Sequence, residues 1–246
     1  GATAVNIKDW LGQLVVSVMD FGAVGDGVAD DGSEIQAAID RVEARGGGVV
    51  YLPWGTYMIT TALTIDATGV SIVGCGRESI IQNNGTTTNV LNVNMGSAVD
   101  SKVFLRDFAI TANTTSSGTA INVPNGDRTI IDNVSVALHR TGIATSAATA
   151  CRLSNVYVVS TDDDAAAVGV SLGARCRLTD SEIVSGTDNG TGITASGADA
   201  RVVNCYVSNF ATAITASGAA VPVIGPHISG PTTGAPLSGA DSKILH

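Results

Sequence analysis

Four large polar or aromatic side chains, Tyr157, Glu182, Tyr206 and His227, stand 25, 24 and 21 residues apart. If that spacing is one turn of a repeat, they stack as a column on successive turns. Two phenol rings flanking a carboxylate could hold a sugar by apolar contact and hydrogen bonds, with Glu182 as general acid or base. The competing reading is cross-strand packing or a subunit contact on an exposed strand face. A second set lies in the loops between strands. Asp162, Asp163 and Asp164 share one loop, Asp188 sits one repeat later, and His139 and Arg140 one repeat earlier. Adjacent turns place such groups roughly 5–10 Å apart, which spans the carboxylate separations of retaining and inverting glycosidases. Three consecutive aspartates point in different directions, so at most two could share a site, and a merely solvated acidic loop is the alternative. A third column, Arg152, Arg177 and Arg201, stacks like charges and needs anionic partners; neighbouring carboxylates or a subunit interface suit it better than an acidic polysaccharide.

The elements that position these residues follow from a recurring unit: LRDFAI (105–110), IDNVSV (131–136), LSNVYV (153–158), LTDSEI (178–183), VVNCYV (202–207) and VIGPHI (223–228). A period of 21 to 26 residues indicates a solenoid. Its third position reads Asp107, Asn133, Asn155, Asp180, Asn204 and Gly225, the residue types that enter the left-handed region at least cost. Each unit is therefore two short strands joined by a one-residue left-handed bend. A further strand follows in register, with Ile121, Ile143, Val170, Ile193 and Ile214 at matching positions among Thr, Ser, Ala and Gly. Three short strands per coil, pairing in parallel at roughly 4.8 Å, describe a parallel β-helix. The period of two along each strand points Leu105, Phe108 and Ile110 inward, and likewise Leu153, Val156 and Val158. Connections from the bent pair to the next strand vary more in length than the return turns, and in solenoids such insertions map to one face, often the binding face.

Composition agrees. The chain has 246 residues, 29 glycines, 14% charged residues and a net charge of −9, which suits a turn-rich all-β protein and argues against nucleic acid as a partner. No apolar run reaches the roughly 18 residues of a membrane span, and no signal-peptide pattern opens the chain. Cys151, Cys176 and Cys205 fall on inward positions and read as reduced structural thiols. With no C-x-x-C or Cys/His cluster, no metal site and no cofactor is expected. Asp31 with Glu34 forms a capping box before an apolar stripe of Ile35, Ala38, Ile39 and Val42, and Gly46 ends that helix. The helix covers the open end of the solenoid.

The segment VSVMDFGAVGDGVADDGSEIQAAIDRVEARGGGVVYLPWGTYMIT (16–60) resembles the N-terminal module of the pectate-lyase-like β-helix superfamily, in the form common in bacteriophage tailspikes and tail fibres. The resemblance implies an all-β, right-handed parallel β-helix with an N-terminal capping helix. The expected organisation is an N-terminal segment (1–15) at a subunit contact, a capping module (16–60), β-helix coils (61–228) and a tail (229–246) that crosses the final coil or reaches a partner. It further implies a homotrimer beside other virion tail proteins, located in the virion or secreted, that binds a host-surface polysaccharide. The members of the superfamily include lyases, hydrolases and inert adhesins, so activity does not follow from the fold. The Arg-x-Pro-x-x-Arg run of pectate lyases and the polygalacturonase motif set are missing, so no catalytic residue carries over. The candidates are therefore Glu182, Asp162, Asp163, Asp164 and Asp188 for catalysis, and Tyr157, Tyr206, His227 and Arg140 for substrate. A non-catalytic adhesin or spacer of a virion tail, and a cellular pectin-type lyase or hydrolase, are the alternatives.

Overall fold

The structure, a computed structural model, describes residues 15–84, 89–95, 102–113, 116–160, 164–230 and 243–245. Asp162 and Asp163 lie outside the described residues, as do most of the 1–15 segment and of the tail. The strands wind into a parallel β-solenoid of about eight turns. Every recorded strand pair is parallel and joins one coil to the next, as in Leu153↔Leu178 and Leu178↔Val202. The second strand column is in the expected register: Ile121↔Ile143, Ile143↔Val170, Val170↔Ile193 and Ile193↔Ile214.

The left-handed bends fall where the residue types place them. Asp107, Asn133, Asn155, Asp180, Asn204 and Gly225 have φ between 51° and 61°. Around the bend the two strands form an angled sheet with its apolar side inward. Leu105, Phe108, Ile110, Leu153, Val156 and Val158 are all buried. In two middle coils the pair runs through the bend as one strand, Phe104–Ala112 and Ile130–Ala137; in later coils it divides, as into Arg177–Thr179 and Glu182–Ser185. Cys151, Cys176 and Cys205 are buried and free of disulfides, while Cys75 is exposed. Burial pushes the Cys205 thiol up to about 11.

The capping helix, Gly32–Glu43, buries Ile35, Ala38, Ile39 and Val42 against the first coils. The capping box does not form. Asp31 makes no side-chain bond to the helix and instead accepts from the amides of Val24 (2.6 Å) and Gly25 (3.0 Å), while Glu34 accepts from the Ser33 hydroxyl (2.9 Å). The turn before the helix has its own unsatisfied amides, and Asp31 is closer to those. At the other end Gly46, at φ 85°, reverses the chain, as expected. Lys243–Leu245 pairs in parallel with Pro222–Ile224, so the tail returns to the end of the solenoid. Among the described residues, no helix is long and apolar enough to cross a membrane.

Candidate functional site

The bend sets up a groove. A left-handed residue turns the chain sharply, so side chains pointing outward just after it rise beside the ladder of bend residues. Register then aligns them: Ser135↔Tyr157, Tyr157↔Glu182, Glu182↔Tyr206 and Tyr206↔His227. Together with Asn133, Asn155, Asp180 and Asn204 of the ladder they line a concavity of about 480 Å³. Four sequence candidates, Tyr157, Glu182, Tyr206 and His227, thus share one surface.

The ladder that forms its floor is held by hydrogen bonds between coils. Asn133 Nδ2 donates to Asp107 (2.8 Å), Asn155 Nδ2 to Asp132 (2.9 Å) and Asn204 Nδ2 to Asp180 (2.6 Å). Each carboxylate that accepts from an amide is fixed in direction. Above the floor, the Tyr206 and His227 rings stack with centroids 5.2 Å apart and planes 17° apart. The Tyr206 hydroxyl also bonds Ser229 Oγ at 2.7 Å. Glu182 stands exposed between Tyr157 and Tyr206.

The sequence reading missed Arg77, whose guanidinium carbon lies 4.6 Å from the centroid of the Tyr157 ring, a cation–π contact. Arg77 comes from a coil in which the bend is not one residue but the turn 74–78, between Val70–Val73 and Ser79–Asn83. A longer turn where the coils from Asp107 onward have a single-residue bend was the available signal. Its consequence is chemical: Arg77 covers one face of Tyr157 and His227 stacks on Tyr206. Apolar stacking of a sugar on open ring faces, the expected mode, gives way to a polar groove with a guanidinium, an imidazole, phenol hydroxyls and a carboxylate at its rim.

The loop candidates are elsewhere. Arg140 pairs with Asp164, Nε to Oδ2 at 3.1 Å, so that its charge is engaged within the protein. Asp188 is exposed at φ 59°, beyond the far end of Glu182–Ser185, and does not line the groove. His139 is buried rather than presented with Arg140. Its Nδ1–H donates to the Ala137 carbonyl (2.8 Å), its Nε2 has no partner, and burial holds its pKa below the usual imidazole value. Among the described residues no cluster of His, Cys, Asp and Glu could hold a metal ion.

A model of the family described as rhamnogalacturonase A/epimerase, pectate lyase-like, matches residues 15–235. Mannuronan C5-epimerase AlgE1 of Azotobacter vinelandii is 49% identical over 83 residues, 30% of this chain and 6% of that protein. The tail spike protein of Shigella phage Sf6 is 33% identical over 121 residues, 47% of this chain and 19% of that protein. The chain therefore spans less than a fifth of either relative. Among solved structures, ORF18 of Geobacillus virus E2 superposes with a TM-score of 0.72 at 18% identity, covering 99% of this chain and 66% of that one. The Streptococcus pneumoniae adhesin PfbA gives the same score at 18% identity, covering 87% and 66%. At such identities these two likenesses establish the fold alone.

Proposed function

The chain belongs to the rhamnogalacturonase A/epimerase, pectate lyase-like family, and from that membership we propose that it is a tailspike-type β-helix that binds a host-surface polysaccharide in the groove beside the bend ladder. One observation carries the reading. Tyr157, Glu182, Tyr206 and His227 rise on four successive coils beside one concavity, with Arg77 reaching in from a distant coil. The groove runs across the coils, so a linear chain lying in it meets a new donor or acceptor about every 4.8 Å. Hydroxyl-rich ligands suit such a wall, because each sugar offers several donors and acceptors at its edge. The relatives named tail spike and epimerase support a polysaccharide-related role. Homotrimer formation, association with other tail proteins, and a virion or extracellular location belong to the same proposal.

A second reading, depolymerisation, rests on a separate observation: Asp180 and Glu182 both line the groove. Asp180 accepts from Asn204, whereas Glu182 stands exposed without such a bond, so the two carboxylates face the groove in different surroundings.

The test is a titration of the protein with capsular and lipopolysaccharide preparations from a panel of strains, followed by an assay of new reducing ends and of absorbance near 235 nm. Saturable binding to one preparation, weakened in Tyr157→Ala and Glu182→Gln, is the expected result. Reducing ends alone point to a hydrolase and both signals to a lyase. Binding to no preparation, or binding indifferent to both variants, overturns the groove as the site.

A further inference from the structure

The outward arginines on the other side of the bent sheet make a second charged surface. Arg152, Arg177 and Arg201 are directly paired across successive coils and all exposed. They begin their strands three residues ahead of the bend ladder, about 10 Å along the chain from the groove. Arg128 and Arg175, at left-handed turn positions (φ 61° and 56°), flank them, and Lys102 continues the line. Six of the chain's 13 lysine and arginine residues therefore fall on one edge of a protein whose net charge is −9.

Two features mark the stretch of this edge from Arg152 to Arg201. Among the described residues, Arg152, Arg175, Arg177 and Arg201 form no ion pair, although Asp199 stands near three of them. The neighbouring carboxylates expected from the sequence do not neutralise the ladder. The surface is also concave between the side chains. A hollow of about 460 Å³ is lined by Arg175, Arg177, Asp199 and Arg201. A second, of about 250 Å³, lies between Lys102, Arg128 and Arg152, over Phe104 and Ile130. Guanidinium groups held one coil apart repel one another unless an anion lies among them, and each offers a planar fork matched to a carboxylate or sulfate.

We propose that this arginine edge is a binding site for a linear anionic polysaccharide, separate from the groove at the bend. The coil rise of about 4.8 Å sets the charge spacing of the ladder. That is about the length of one pyranose unit, so a chain with an anionic group on every sugar keeps step with it. Nucleic acid fits less well. Phosphates along one strand of a duplex climb only about 3.4 Å of axis per nucleotide while winding round it, so they do not follow a straight ladder, and single strands need aromatic platforms, whereas the larger hollow has no aromatic lining.

The experiment is calorimetric titration of the whole chain with four probes at low and high salt: a polyuronate with a carboxylate on every residue, hyaluronan with one on every second residue, heparin, and neutral dextran. Short duplex DNA serves as a fifth. The expected order is polyuronate or heparin above hyaluronan, with no binding of dextran or DNA and affinity falling as salt rises. Heparin above polyuronate assigns the ligand to sulfated chains, and the reverse order to uronates. The triple variant R152Q/R177Q/R201Q loses affinity by on the order of ten-fold. Arg177→Lys, which keeps charge but not the fork, loses less. Arg41→Gln, an exposed charge on the capping helix, leaves this affinity unchanged and so ties the loss to the edge rather than to net charge. Far-ultraviolet circular dichroism and sedimentation are run on every variant. Unchanged affinity in a folded triple variant, equal binding of hyaluronan and polyuronate, or equal binding of DNA each overturn the proposal. So does a wild-type oligomer that dissociates in the triple variant without any glycan binding, which makes the edge an interface between copies.

Discussion

Replacing Gly192 with alanine tests the packing that sets the coil spacing. Gly142, Gly169 and Gly192 occupy one column on three successive coils, with Ala213 next in register. A Cβ on Gly192 meets Val207 Cγ1 at 2.5 Å, the Ala213 carbonyl oxygen at 2.7 Å and Phe210 Cδ2 at 3.1 Å. The valine methyl can rotate away, but the carbonyl is part of the backbone and moves only with its coil. Overpacking of this kind costs about 1–3 kcal/mol. Against it stands a gain of about 0.4–1 kcal/mol, because alanine restricts the unfolded chain more than glycine does. The net expectation is a loss of about 1–2 kcal/mol, which for a chain of this length lowers Tm by about 2–8 °C in scanning calorimetry. Val207 carries half of the clash, so Gly192→Ala with Val207→Ala should lose less than the sum of the two single variants. A Tm for Gly192→Ala equal to or above wild type refutes the argument, since it means the coils can part at no cost. Strictly additive losses refute the assignment to Val207.

Two further predictions concern buried groups. His139 has a folded pKa held below its ordinary 6.5 by burial. Above pH 6.5 it is neutral in both states; as pH falls below 6.5 the unfolded chain takes up a proton that the folded protein refuses until its lowered pKa is passed. Stability therefore drops across that window, by about 1.4 kcal/mol for each unit of lowering, and urea midpoints measured from pH 7.5 to 5 should show a slope that His139→Gln removes; an unchanged slope in the variant sinks the assignment. Of the four thiols only Cys75 is exposed, so an aromatic disulfide reagent should titrate one thiol in the native protein and four in denaturant. Rapid reaction of a second thiol in the native state contradicts the buried positions of Cys151, Cys176 and Cys205.

The bends at Asp107, Asn133, Asn155, Asp180 and Asn204 were legible because the left-handed backbone selects few residue types, and the inward columns were legible because a strand has a period of two. A second column of left-handed residues was not. It consists of Arg128, Ala150, Arg175, Asp199 and Ala220, with φ from 56° to 61°, and arginine or alanine gives no hint of it. There the neighbouring coils decide. The amides of Arg128, Ala150, Arg175 and Asp199 donate to Thr149, Ala174, Ala198 and Ala219 at 2.8–3.0 Å, and those bonds offset a local cost of about 1–2 kcal/mol per residue. Local preference was likewise overridden at Asp31, where the capping pattern is present but the carboxylate is drawn to the amides of Val24 and Gly25. The column Tyr157, Glu182, Tyr206 and His227 could be listed from spacing. Its partner Arg77 could not, because its coil breaks the repeat.

That break explains why the groove ends where it does. The residues that precede Tyr157 in its column are Ile80, Ala109 and Ser135. Ala109 and Ser135 are small, so the outward surface is low over two coils and then rises at Tyr157. A regular one-residue bend at 74–78 would leave that low stretch open to solvent. The longer turn instead carries a cation that reaches as far as the first tall side chain and stops on its ring. A guanidinium over a phenol face is attracted to the ring without being neutralised by it, so the end of the groove keeps a positive charge while its middle, at Glu182, is negative. A ligand lying along the coils thus meets opposite charges at different heights. Two changes would separate shape from charge: shortening the turn 74–78 removes both the wall and the cation, whereas Arg77→Met keeps most of the bulk and removes only the charge. If the groove recognises its ligand by charge at this end, the second change must weaken binding nearly as much as the first.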